Sequence, residues 1–198
     1  MALPVRLVSR KETSHARIVE VASRAIRQFG YQGTGVADIM KAAGLTHGGF
    51  YAHFENRDAL VREAIDHAGT TSLEALTASI DKQRARGASS VEALISSYLS
   101  DSHLAAVDGG CPIAALVGET PRQAEAVQDA SRRRLMAFLE RVRRQLPSAG
   151  PRPSAESLTC ALIGTLQVAR AIGSNKAGRS FLASRREELI RVYDRPSR

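Results

Sequence analysis

Apolar residues recur every three or four positions along most of this chain, which is the period of an amphipathic α-helix. In the first such stretch Ile18, Ala22, Ile26 and Phe29 fall on one face, and Gly30 follows where a helix commonly ends. No segment alternates apolar and polar residues over a strand length, and no Asn-Gly hairpin signal occurs. The pattern therefore predicts an all-α chain of about nine helices.

Residues that cap helices precede several of these periodic stretches. Ser9 and Glu12 have the spacing of a capping box, with Ser14 as an alternative start, and Asn56 can cap a long helix reaching into the low eighties. Further helices are predicted from Ser89 to Ser102, from Pro112 to Glu119 (a short one) and from Thr120 to Leu146. Another is predicted to begin at Ser154, and the last to run from about Ala177 to Tyr193. Residues 147–153 are the only obvious linker.

The stretch covering residues 34–58 has a different organisation, because two short apolar periods flank a glycine. Gly44 can adopt a positive φ without a steric penalty, so we expect a tight turn there. Thr46 is then a candidate N-cap for a second short helix, which carries Phe50, Tyr51 and Phe54. Two short helices joined by a glycine turn are typical of a helix-turn-helix, whose second helix enters the major groove of DNA.

The charge distribution agrees with an anionic partner but does not identify it. The chain carries a net charge of +8, and residues 1–62 alone contribute +4 of it. Such a balance favours nucleic acid first and an anionic membrane second, although many bacterial proteins are simply rich in arginine. Arg6, Arg10, Lys11 and Arg17 form either a DNA-contacting arm or a solvated basic terminus.

The sequence carries no sign of export or membrane insertion. No apolar run approaches the roughly 18 residues of a membrane span, and the N-terminus lacks a signal-peptide core. The two cysteines stand in dissimilar settings. We therefore expect a cytoplasmic protein with no membrane partner.

Four short motifs carry a resemblance to a known family. They are Phe-Gly-Tyr at 29–31, Val-Ala-Asp-Ile at 36–39, Ala-Ala-Gly-Leu at 42–45 and Tyr-Ala-His-Phe-Glu-Asn-Arg-Asp-Ala-Leu at 51–60. With them the sequence resembles the TetR family of bacterial transcriptional regulators, while the rest of the chain matches only in helix pattern and length. Met40 departs from the family pattern by replacing a small alanine, and Gly35 by replacing a second threonine or serine.

The resemblance implies a dimeric DNA-binding regulator, most often a repressor that releases a near-palindromic operator on binding a small molecule. It assigns residues 1–62 to a three-helix helix-turn-helix domain and residues 63–198 to a helical domain for ligand binding and dimerisation. The last two helices are expected to pair with their copies in a four-helix bundle, where Gly164, Ala169, Ala171 and Gly173 allow close approach. Such a homodimer reads two major grooves about 34–36 Å apart.

The expected DNA contacts surround the second short helix. Thr34, which we expect to cap the helix before it, can offer its hydroxyl to a phosphate. Gly48 and Gly49 each lower helix propensity by about 1 kcal/mol relative to alanine, so we favour close approach of backbone to DNA over a merely poor helix. Phe50 and Phe54 are predicted to be core residues. The predicted DNA-binding set is Thr34, Thr46, His47, Gly48, Gly49, Tyr51, His53 and Arg57.

We expect the ligand pocket to lie among the central helices. The candidate pocket residues are Tyr98, His103, Met136, Phe138 and Gln167. Packing in the apolar core would explain each of these residues equally well. A ligand there should favour a dimer whose DNA-reading helices stand too far apart for both grooves. The long helix that begins at Asn56 is the natural lever for that change.

Cys111 provides an alternative function on the same scaffold. A helix N-terminus favours the reactive thiolate form, and some relatives respond to oxidants or electrophiles through cysteines in roughly this region. A thiol-based sensor acting through Cys111 is therefore the alternative to a ligand-responsive repressor, and an inert packing cysteine is the third possibility. Cys160, within an apolar helix, is expected to be structural.

Nothing in the sequence calls for catalysis, a metal or a cofactor. His47 and His53 are six residues apart, a spacing that suits no site on one helical face. A Cys111–His103 dyad lacks a third group to orient it. We therefore expect a protein that is not an enzyme.

Overall fold

The computed structural model describes residues 9–146 and 154–194, and within these ranges the chain is entirely helical. It forms the nine α-helices α1 (Arg10–Phe29), α2 (Val36–Ala42), α3 (Arg57–Arg84), α4 (Ser90–Tyr98), α5 (Asp101–Ala105), α6 (Pro112–Leu116), α7 (Glu125–Arg143), α8 (Ala155–Ile172) and α9 (Lys176–Tyr193), with two 3₁₀ helices at His47–Ala52 and Thr120–Arg122. The all-α prediction is confirmed. Arg6 and the predicted linker at 147–153 lie outside the described residues. None of the described helices is both long and apolar enough to cross a membrane.

Side-chain caps begin the helices where the sequence predicts them. Ser9 and Glu12 form a complete capping box at α1, so Ser14 is not the start. Asn56 caps α3 by accepting from the backbone N–H of Ala59 at 2.9 Å, and Ser89 and Ser154 cap their helices in the same way. These positions satisfy backbone donors that the first helical turn leaves unpaired.

Three predicted helix boundaries are wrong. Gly35, not Thr34, is the N-cap of α2, and it makes no side-chain bond. The helix that starts after Ser89 stops at Tyr98, because Ser100 caps a new helix through the N–H of His103. Thr120 begins only a 3₁₀ turn, and α7 starts after Ala124. At Thr34 and Thr120 a locally plausible cap is not used, whereas at Ser100 a cap that was not predicted starts a new helix.

The helices surround two apolar cores. The first gathers α1, α2, the 3₁₀ helix and the start of α3, and it also takes in Leu116, Val127 and Ala130 from later in the chain. The second lies among α4 to α9 and the end of α3. The long α3 therefore runs from one core into the other, and the predicted domain boundary at residue 62 falls inside this helix.

Candidate DNA interface and effector cavity

The helix-turn-helix is built around Gly44. This glycine has φ +71°, and its N–H donates to the carbonyl of Lys41 as the chain leaves α2. Met40 is fully buried at the contact between α2 and the 3₁₀ helix, where its flexible side chain fills the space that a small residue would leave. Phe50 and Phe54 are 2% and 3% exposed with ring centroids 5.6 Å apart. Their prediction as core residues is confirmed.

One surface of the 3₁₀ helix His47–Ala52 faces away from the protein. Thr46, His47 and Gly48 are exposed, Gly49 is partly exposed, and Tyr51 is 74% exposed. We call these five residues the open surface. The predicted second helix is thus 3₁₀ rather than α-helical, which is consistent with two glycines that weaken the α form. Thr46 occupies the N-cap position but makes no capping bond.

Packing within the chain does not explain Gly48 and Gly49. A Cβ atom added at Gly48 meets nothing within 4 Å, and one added at Gly49 meets only ordinary contacts at 3.7 Å. Neither residue has a positive φ. The fold would therefore accept alanine at both positions.

Three predicted contact residues face the protein instead. Thr34 is 8% exposed, and its hydroxyl is buried without a hydrogen-bond partner among the described residues. Arg57 donates to the backbone carbonyl of Tyr31. His53 is half-buried near His15, and burial first, then the charges of His15 and Lys11, lower its pKa. The structure brings these three residues beside the open surface rather than onto it.

A cavity of about 250 Å³ lies among the central helices. Tyr98, His103, Phe138 and Cys111 all line it, although they come from four different parts of the chain. Other lining residues include Ser72, Leu76, Ser97, Gly110, Ile113 and Arg134. A second cavity of about 200 Å³ lies against Tyr31 and shares Pro112, Ile113 and Arg134 with the first.

Two predicted pocket residues do not line the first cavity. Met136 is 54% exposed, because two residues along a helix turn a side chain to the opposite face from buried Phe138. Gln167 lies half-buried on α8 outside the lining set. The prediction of a pocket role is therefore wrong for Met136 and Gln167.

His103 holds the cavity wall with both ring nitrogens. Its Nε2 accepts the backbone N–H of Cys111 at 3.0 Å, so the ring proton must be on Nδ1, which donates to the carbonyl of Tyr98 at 2.7 Å. Burial lowers the pKa of His103 to about 4, despite the hydrogen bond to Tyr98, which acts the other way. His103 is thus neutral and fully used, and it has no free nitrogen to act as a base for the Cys111 thiol.

Two arginines, buried Arg27 and partly buried Arg170, hold the loop that forms this wall, and sequence reasoning missed both. Arg27 of α1 is 7% exposed and donates to the carbonyl of Gly110 at 3.0 Å. Arg170 of α8 donates to the carbonyls of His103 and Ala106 at 2.9 and 3.1 Å. A signal for Arg27 was available, because it continues the helical spacing of the buried residues Val19 and Ser23. Arg170 has a similar signal, because it lies four residues after buried Leu166 and eight after buried Leu162.

Further contacts join the first core to the helices around the cavity. The Glu119 carboxylate accepts the backbone N–H of Tyr31 at 3.1 Å and fills the space beside Gly30, where a Cβ would meet it at 2.6 Å. The Tyr31 hydroxyl pairs with that of Ser131 at 2.9 Å. Tyr31, which belongs to one of the sequence motifs, is thus a junction residue.

The two cysteines have opposite surroundings. Cys111 is 5% exposed at the N-cap of α6 and lines the cavity. Cys160 is exposed on α8, so its prediction as a packed structural residue is wrong for a single chain. The apolar neighbours of Cys160 in sequence, such as Leu158 and Leu162, take the inner face of the helix.

Comparison with known proteins identifies relatives of the N-terminal part. Residues 18–64 match the sequence model of the family described as bacterial regulatory proteins, tetR family. The chain is 40% identical over 55 residues to the HTH-type transcriptional regulator TtgR of Pseudomonas putida, which covers 28% of this chain and 26% of TtgR. The chain therefore matches about a quarter of the length of that curated relative.

Solved structures are similar over nearly the whole chain. A TetR transcriptional regulator from Chloroflexus aurantiacus J-10-FL has a TM-score of 0.74 at 24% identity, covering 91% of this chain and 93% of that one. The transcriptional regulator FadR from Bacillus subtilis, solved in complex with stearoyl-CoA, has a TM-score of 0.64 at 16% identity, covering 89% and 97%. At these identities the likeness shows the fold.

Proposed function

We propose that this chain, whose residues 18–64 match the model of the bacterial regulatory proteins of the tetR family, is a repressor that releases a near-palindromic operator when a small molecule binds. The observation that carries the ligand response is the 250 Å³ cavity, whose wall at Gly110 is hydrogen-bonded to Arg27 of α1. Since α1 packs on α2 and α3, a change in this wall reaches the helix-turn-helix.

The proposal divides the chain at the long α3. Residues 1–62 bind DNA, and residues 63–198 hold the ligand and the dimer interface. The first core supports this division because it collects the helix-turn-helix and the start of α3. The protein acts in the cytoplasm, where a bacterial operator lies.

The open surface makes the contacts with DNA. Thr46, His47 and Tyr51 can reach base edges or phosphates, while Gly48 and Gly49 let the backbone approach DNA closely. Thr34, His53 and Arg57 flank this surface. Arg57 donates to the Tyr31 carbonyl. All three remain in the proposed contact set, Thr34 through the neighbouring N–H groups at the start of α2, because its hydroxyl is buried.

The dimer forms through α8 and α9. The outer face of α8 carries Cys160, Gly164, Val168 and Ile172 at spacings of four residues, a stripe of small and apolar side chains. Val168 is 47% exposed and Ile172 42% exposed, so a second copy is needed to cover them. Ala169, by contrast, is fully buried within one chain and contributes to the α8–α9 packing instead.

The experiment that tests this function begins by selecting bound DNA from genomic fragments, which yields the operator. Tyr51→Ala should then weaken operator binding with little change in stability, because the side chain is 74% exposed. Phe29→Ala, which removes another aromatic side chain that is 59% exposed, is the matched control. Operator affinity equal to wild type in the Tyr51 variant would contradict the assignment of the DNA surface.

A thiol sensor acting through Cys111 is the second candidate. Its support is that Cys111 lines the cavity and follows the Gly110 carbonyl held by Arg27, so a group attached to its Sγ would press on that wall. Cys111→Ser should then abolish DNA release by an alkylating agent, while Cys160→Ser should not. Release that survives in Cys111→Ser would remove this candidate and leave the reversible ligand response standing.

A further inference from the structure

We propose that the 250 Å³ cavity takes a small uncharged molecule with one aromatic ring and an oxygen that accepts hydrogen bonds from Tyr98 and Ser97. This inference names the ligand class of the proposed effector site and so rests on the proposed function. It is argued from the size, the charge and the unpaired polar groups of the cavity.

The size of the cavity limits the ligand. At roughly 30 Å³ per water, about 250 Å³ corresponds to about eight water molecules. This lies below the range of about 300–1,000 Å³ that is usual for drug-sized ligands. A molecule of single-ring size fits this volume.

The charges of the lining exclude an ion as the natural occupant. Among the described lining residues the permanent charge is that of Arg134, and Asp66 already pairs with it at 2.6 Å. His103 is neutral, with both of its nitrogens bonded to backbone groups. A charged ligand would therefore lose its hydration without gaining an opposite charge.

Two buried hydroxyls supply the recognition. Tyr98 is 1% exposed and Ser97 6% exposed, both line the cavity, and neither hydroxyl oxygen has a hydrogen-bond partner among the described residues. Burial, followed by the charge of the neighbouring Cys111 thiol and its contact with the phenol, raises the pKa of Tyr98 well above its usual value, so the phenol keeps its proton. A thiol is only a weak hydrogen-bond acceptor, and the Tyr98 hydroxyl makes no hydrogen bond of normal geometry, so a ligand oxygen is the stronger partner. Buried polar groups are normally paired, and either hydroxyl can donate to a carbonyl oxygen of a ligand in the cavity.

The aromatic wall indicates the shape of the ligand. The rings of Tyr98 and Phe138 stack with centroids 5.0 Å apart, and His103 meets Tyr98 edge to face at 4.8 Å. Aromatic groups favour offset-stacked or edge-to-face neighbours, so a flat ring extends this arrangement. Apolar side chains such as Leu76 and Ile113 complete the lining.

The test is isothermal titration calorimetry of the full chain with four matched probes. Acetophenone carries a ring and a carbonyl, ethylbenzene lacks the acceptor, and benzoate and benzylammonium carry opposite charges. We expect acetophenone to bind roughly tenfold more tightly than ethylbenzene, the size of effect that one or two hydrogen bonds give. The two ions should bind at least tenfold more weakly than acetophenone.

Substitutions test whether Tyr98 and Ser97 cause the difference in affinity between acetophenone and ethylbenzene. Tyr98→Phe should reduce acetophenone affinity about tenfold and leave ethylbenzene unchanged, and Ser97→Ala should act in the same direction. Tyr193→Phe is the matched control, because Tyr193 is also buried in the second core but does not line the cavity. Circular dichroism confirms that each variant is folded.

Several results would overturn the inference. They are no binding of acetophenone at millimolar concentration, equal affinity for ethylbenzene, tighter binding of either ion, and no effect of Tyr98→Phe. Operator release is measured separately. If acetophenone binds as expected but the operator stays bound, the ligand response fails while the cavity chemistry stands; if a charged effector releases the operator by binding here, only the ligand class fails.

Discussion

Gly48 lowers the stability of the chain but leaves room for DNA to approach the backbone. Open space surrounds this position, so Gly48→Ala should stabilise the chain by about 0.4–1 kcal/mol through the unfolded state. The added methyl group should also weaken operator binding, because it lies on the open surface. Thermal unfolding and DNA titration measure the two effects.

Gly118→Ala is the control for this prediction. Gly118 is also exposed, with no atom within 4 Å of an added Cβ, but it is not part of the 3₁₀ helix His47–Ala52 or of the open surface. It should give a similar gain in stability with unchanged DNA binding. If Gly48→Ala also leaves DNA binding unchanged, close approach at this glycine is refuted.

His103 makes stability depend on pH. Its pKa falls from an ordinary 6.5 in the unfolded chain to about 4 in the folded one, so the unfolded state binds the proton more readily. The contribution of His103 to the free energy of unfolding is fully present above pH 6.5. It is lost as the pH falls towards 4, and the total loss is roughly 3 kcal/mol.

His103→Gln should flatten that profile, because a glutamine side chain can accept from Cys111 and donate to Tyr98 without titrating. Chemical denaturation between pH 4 and 7 measures the difference. His47→Gln, at an exposed position, is the control and should keep the wild-type slope. An unchanged slope in His103→Gln would show that other groups cause the pH dependence.

Sequence reasoning located apolar side chains better than polar ones. Phe50 and Phe54 were predicted as core residues because the helical period places them there. Met136 and Phe138 differ by only two positions within arginine-rich α7, and the period alone did not decide which of them faces inwards. The hydrogen bonds of His103 and Arg27 go to backbone groups that tertiary packing brings to them. Helical spacing can therefore indicate that Arg27 is buried, but not which group it binds.

At the scale of the helices, Arg27 links α1 to the cavity wall. Arg27→Lys keeps the charge but removes the planar fork that reaches both Ser23 and Gly110, so the wall should loosen. Hydrogen exchange of the backbone amides at 104–111 should become faster than in wild type. Arg24→Lys is the control, because its exposed ion pair with Asp108 contributes little. Equal exchange in both variants would contradict this link.

Helix ends were predictable where a side chain alone decides them. Ser9, Asn56 and Ser154 satisfy backbone donors of their own helices, so the signal is local. Thr120 has the same local signal, yet α7 begins only after Ala124, because the chain must first bend at a 3₁₀ turn beside the first core. Periodicity predicted eight of the nine α-helices of the described residues; it missed the short α5 and did not give the exact helix ends.

At the scale of the whole molecule, the stripe on α8 predicts a dimer. Val168→Glu should place a charge in the proposed interface, produce monomers in analytical ultracentrifugation and weaken operator binding. Maleimide labelling of Cys160 should become faster, because the proposed second copy would cover this thiol, which is exposed in the single chain. Met136→Glu is the control, since Met136 is similarly accessible but lies on α7. A dimer that persists in Val168→Glu, with slow labelling, would place the interface elsewhere.

Because α3 is long, a small rotation of this helix at the cavity produces a larger displacement at the DNA surface. With 28 residues and a rise of about 1.5 Å each, the helix is about 42 Å long. Leu73, near the middle of the α3 residues that line the cavity, lies about 24 Å from Arg57 along this helix. A rotation of about 5° there displaces the DNA end of α3 by roughly 2 Å. In the proposed dimer, two copies moving oppositely would change the distance between DNA surfaces by about 4 Å, an eighth of the groove repeat, so a small angular change at the cavity would alter the fit to the operator.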